Sequence, residues 1–132
     1  KMIKEANITY TPEKVDQFVL DLTKELDRAK TVYETARNKV MNMSVGEVLE
    51  NLDGMKAYKD KLEKAVEMFN KLHTKYFDIV ETFDFYGMPA NVRALEKLVD
   101  KLDNYYSDLS KVEDVVDDMI SAASRLTNLY SD

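Results

Sequence analysis

The sequence predicts an all-α fold: an elongated, antiparallel, up-down-up three-helix bundle with coiled-coil-like packing, plus a short helix after the first long one. Three observations predict it. Apolar residues recur in alternating steps of three and four along most of the 132 residues, the spacing that places them on one helix face. Only 3 Gly and 2 Pro are present, and because these residues punctuate turns, the elements must be few and long. Charged residues make up 33% and hydrophobic ones 45%, a composition of long helices rather than of a disordered chain. A chain of this length is expected to form one domain with a real core.

Residues 1–10 show no period and are expected to form a loose N-terminal arm. Thr11-Pro12-Glu13 is a helix start: a hydroxyl cap, Pro at the first helical position and an acid in the first turn. The seam Val15, Val19, Leu22, Leu26, Ala29, Tyr33, Ala36, Val40, Met43 then defines a first helix over about 13–43. Ser44-Val45-Gly46-Glu47 fits a capping box, with Ser44 bonding forward and Glu47 back. It opens a short helix over 45–52 carrying Val48, Leu49 and Leu52. Gly54 suggests a kink or tight turn at 53–54, although a Gly inside a helix costs only ~1 kcal/mol and a continuous helix is the alternative.

The next long helix is expected over 54–85, on the seam Met55, Tyr58, Leu62, Ala65, Phe69, Leu72, Tyr76, Ile79, Phe83. Gly87 and Pro89 place a short reversal at 86–89. The last helix, about 90–130, follows the seam Leu95, Leu98, Leu102, Tyr105, Leu109, Val112, Val116, Met119, Ala123, Leu126, Tyr130. Short links make successive helices antiparallel, so positions of the last two helices whose numbers add to about 175 should lie level. The 3.5-residue period predicts left-handed packing at roughly +20°.

Charge and composition restrict function. The net charge is -6, falling from +1 over residues 1–43 to -3 over 44–87 and -4 over 88–132. An acidic body repels phosphate backbones, so nucleic acid is not an expected partner. No apolar run approaches the ~18 residues that span a bilayer, and no signal peptide is visible, so a soluble protein is expected. The chain begins at Lys1, as expected of a processed product or a fragment. Without cysteine there are no disulfides, thiolate metal sites or cysteine nucleophiles.

None of the 29 seam positions is Asp, Glu, His, Lys or Arg. Carboxylate-bridged metal bundles need such residues in the core, so no metal centre is expected. The single His73 follows the seam residue Leu72 and has Asn70 rather than Glu three residues before it; it is expected to flank the core. One His among scattered hydroxyls gives no triad, and neither a phosphate loop nor a dinucleotide fingerprint is present. No enzyme activity and no cofactor is expected.

The candidate partner-binding residues form two groups. Glu113, Asp114, Asp117 and Asp118 pair at i,i+4 as two edges flanking the last seam, either solvated, or a docking patch for a basic partner or a loose divalent-cation site. Phe85, Tyr86 and Met88 cluster at the second reversal, either as a plug closing the bundle end or as a contact surface. Met41 and Met43 flank the first turn and are expected to fill gaps at a bundle end. A second apolar line, Val115, Met119, Ala122, Leu126, Leu129, runs beside the last seam. The 45–52 segment is expected to cover this wide stripe; left bare, the stripe would mark a dimer or partner interface.

Phe85-Tyr86-Gly87, an aromatic-x-Gly between two helices, loosely resembles the turn of the WXG100 family of small secreted helical hairpins. That family carries Trp-x-Gly in the turn and a Tyr-x-x-x-Asp/Glu export signal near the C-terminus. Here Phe85 stands where the Trp would be, and Leu109 and Ser110 stand four residues beyond Tyr105 and Tyr106. The resemblance implies a small exported helical partner protein of a bacterial secretion system. From the residues themselves the expectation is a non-catalytic interaction or structural module whose partner is another protein, with homo-oligomers possible. An apolar-ligand carrier is a further alternative.

Overall fold

The computed structural model describes residues 3–5, 8–85 and 92–130. Their elements are β1 (Ile3–Glu5), β2 (Ile8–Tyr10), α1 (Pro12–Met41), α2 (Val45–Glu50), α3 (Leu52–Phe85) and α4 (Val92–Tyr130). The fold is an all-α helical bundle in which α4 packs against both α1 and α3.

Within the loose arm expected over residues 1–10, residues 3–5 and 8–10 instead pair as two antiparallel strands, with Ile3 opposite Tyr10 and Glu5 opposite Ile8. Ile3, Ile8, Thr9 and Tyr10 are β-branched or aromatic, the residue types that favour strands. Three-residue strands are too short to show a period, so pairing decides the structure.

The helix starts follow their caps. Thr11 Oγ1 accepts a bond from Lys14 N at 3.2 Å, and Ser44 Oγ accepts one from Glu47 N at 3.2 Å. The break before α3 lies at Asn51, two residues earlier than expected. Asn51 Oδ1 accepts from Gly54 N at 3.2 Å and so caps α3. The Asn51 amide occupies the space that a Cβ at position 54 would fill, so a larger residue there would make the amide shift. Gly54 therefore lies inside the first turn of α3 and does not end a helix.

The register of α3 against α4 can be read from two cross-helix pairs. Lys59 Nζ lies 3.0 Å from Asp117 Oδ1, and His73 Nε2 lies 3.8 Å from Asp103 Oδ1. Fourteen residues forward on α3 match fourteen backward on α4. The two helices are thus antiparallel, within one residue of the expected register, and the register holds over two heptads. On α1, the Phe18 ring meets Tyr76 and Phe83 of α3, and Lys39 sits over the Tyr58 ring at 4.1 Å, so α1 also opposes α3. Helices α1 and α4 run parallel: Tyr33 meets Tyr105 at 6.0 Å, and Val40 and Val112, seven residues further along each helix, line one groove.

Burial divides the seam of α4 in two, and those of α1 and α3 in part. On α4, Leu95, Leu102, Leu109, Val116 and Ala123 recur every seven residues and are all 0% exposed. Met55, Leu62, Phe69, Tyr76 and Phe83 of α3 and Val15, Leu22, Ala29 and Ala36 of α1 behave alike. Most intervening seam residues, Leu98, Tyr105, Val112, Tyr58, Ala65, Leu72, Val19 and Tyr33, are only half-buried, whereas Leu26, Val40 and Ile79 are buried. In a three-helix bundle one heptad position faces the common axis and sees both neighbours; the other faces a single neighbour. Each fully buried Leu contributes roughly 1.5–3 kcal/mol of transfer free energy. Among the described residues no polar or charged side chain is buried.

Candidate functional site

Two surfaces of α4 carry the features of interest. On the side facing α3, the acidic run meets a single cation. Asp117 pairs with Lys59, and Glu113 lies near both Lys59 and Glu63. Partial burial, then repulsion from Glu63 and Asp114, pushes the Glu113 carboxyl above the usual carboxylate range, against a smaller pull from Lys59. The Lys59 ammonium is in turn raised by its hydrogen bond to Asp117 and by that carboxylate's charge.

Asp114 and Asp118 are exposed, and at 100° per residue they lie on the outer face of α4, away from both neighbouring helices. The run therefore separates into its two i,i+4 pairs, but not as two edges of the seam: Glu113 and Asp117 face α3, and Asp114 and Asp118 lie on the solvated outer face. It does not converge into one acidic pocket. Among the described residues no group of three His, Cys, Asp or Glu side chains is placed to hold a metal ion. His73 is half-buried, stacks on Phe77 at 5.8 Å and faces Asp103. That is a flanking histidine tied to its own bundle.

On the opposite side of α4, between α1 and α4, lies an open groove of about 340 Å³. Its floor is Tyr33, Val40 and Val112; Met41 and Val115 form its apolar rim, and Arg37, Asp108 and Lys111 its polar one. Lys111 and Asp108 approach to 4.0 Å, a loose pair along the helix. Met41 is 67% exposed and Val115 46% exposed. The groove runs beside the last turns of α1, level with residues 108–115 of α4, and α4 continues past it to Tyr130. Met41 therefore does not fill a gap, as its position beside the turn suggested. Met43 does pack against the core.

The wide apolar stripe of α4 is only partly covered. Helix α2 lies across α4, with Val48 at 0% exposure, and the inner residues Val116, Ile120 and Ala123 are buried. The outer line keeps Met119, Ala122 and Leu126 half-buried, with Val115 and Leu129 at 46% and 76% exposure. Six residues of α2 reach the inner face alone, and Leu49 stays 37% exposed. Of the second candidate group, Phe85 is the last residue of α3, with its side chain outside the described residues, as are Tyr86 and Met88.

The groove was not singled out from the sequence. Its signal is two off-seam apolar residues, Met41 and Val115, on the facing edges of two helices. Comparison with family models, curated proteins and solved structures finds no match for this chain. No described helix is long and apolar enough to cross a membrane.

Proposed function

We propose that the chain is a non-catalytic interaction module that binds another protein through the α1–α4 groove. The observation that carries this reading is the exposure of Met41 and Val115 on the rim of an apolar groove. Burying such residues against a partner releases water at about 25 cal/mol per Å². The shape suits an amphipathic helix laid along the groove, with the mixed charges Arg37, Asp108 and Lys111 aligning its polar edges. The acidic body disfavours a polyanionic partner.

Substitution separates the groove from the rest of the surface. Met41 and Met68 are almost equally exposed, at 67% and 68%, but only Met41 borders the groove. Each is changed to Glu, and the proteins cross-linked to each variant in the source cells are compared with those of the wild type. Met41→Glu is expected to lose the partner and Met68→Glu to keep it. Loss through Met68→Glu, or retention through Met41→Glu, contradicts the groove.

A further inference from the structure

We infer that the outer line of α4, Val115 to Leu129, pairs antiparallel with the same line of a second copy of this chain. This goes beyond the groove partner: the line meets the groove at Val115 alone and runs on from there along α4. Met119, Ala122 and Leu126 are half-buried and Val115 and Leu129 exposed, spaced 4-3-4-3, which is a heptad seam without a facing helix. Ala122 near the middle lets two backbones approach closely.

Charge selects the occupant and its direction. Residues 113–118 carry four acids, whereas 119–130 carry none and contain Arg125. A parallel pair would stack the acidic blocks against each other, at a repulsive cost. An antiparallel pair centred on Ala122 sets each acidic block beside the acid-free stretch of the other copy. Asp118 and Arg125 are seven residues apart on the same edge of the line, and edges of the same type meet in an antiparallel pair. Both are exposed, and among the described residues neither makes an ion pair within the chain. Arg125 only touches the Ser121 carbonyl of its own helix at 3.5 Å. Two symmetric Asp118–Arg125 pairs would therefore form, both along the side where these like edges meet.

Sedimentation equilibrium up to millimolar concentration reads the association. The wild type is expected to dimerise, and Arg125→Glu to weaken the dimer by at least about tenfold, a change of ~1.4 kcal/mol. The swap Asp118→Arg with Arg125→Asp should restore it, since the pairs re-form reversed. Circular dichroism of each variant checks that the bundle is intact. The chain lacks cysteine, so direction can be read cleanly by mixing Val115→Cys and Leu129→Cys proteins with a short thiol cross-linker. Mixed 115–129 products are expected. A wild type that stays monomeric throughout, 115–115 and 129–129 products alone, or an Arg125→Glu dimer of unchanged strength each overturns the inference. A line occupied by a different protein, with the chain itself monomeric, overturns it as well.

Discussion

Asn51 and Gly54 act as one device, and a pair of substitutions shows it. In an exposed helix Gly→Ala ordinarily stabilises by about 1 kcal/mol. Here the new Cβ would displace the Asn51 amide, and losing such a cap costs about 1 kcal/mol. The two terms nearly cancel, so Gly54→Ala alone is expected to leave stability almost unchanged, while the same change in an Asn51→Ala background should raise it by about 1 kcal/mol; urea denaturation of the four proteins reads the difference. Glu113 gives a second residue-level test. A carboxyl whose pKa is raised on folding costs stability above that raised pKa, and the cost fades as pH falls toward the unfolded value. Glu113→Gln should therefore stabilise the protein at pH 7 by a few tenths of a kcal/mol, the scale of a like-charge pair. The gain should vanish near pH ~4, where the ordinary carboxylate protonates, and thermal melts at both values check it.

The elements show what periodicity can and cannot reveal. The long helices were legible because each repeats its apolar step over many turns, and the α3–α4 register followed from the short connection between them. The strand pair Ile3–Glu5 and Ile8–Tyr10 was not legible, since its strands hold three residues each. The break at Asn51 was misplaced by two residues because Gly54 resembles a stop, whereas its role depends on a contact with a side chain three residues away. Helix α2 was expected to cover the stripe of α4, and it covers half of it. Val48 carries that cover, so Val48→Ala should cost about 2 kcal/mol of folding stability at any protein concentration. Leu126→Ala, on the half-exposed outer line, should cost less in the monomer, and denaturation at dilute concentration compares the two.

At the scale of the molecule, α4 is the hub: α1 and α3 lie against it on two sides and α2 crosses it. Function was less legible than fold for a physical reason. A seam repeats and so announces itself, whereas a binding groove arises where two neighbouring helices leave a gap between facing edges, and no local pattern marks that place. The acidic run drew the eye as a cluster, yet helix geometry turns half of it toward Lys59 and half to solvent. Oxidative footprinting of the methionines tests the groove most directly, because thioether oxidation follows exposure. Met41 and Met68 start at nearly the same exposure and serve as site and control in one experiment. In the complex with its cross-linked partner, oxidation of Met41 should be suppressed and that of Met68 unchanged; suppression at Met68 with Met41 still oxidised would contradict the account.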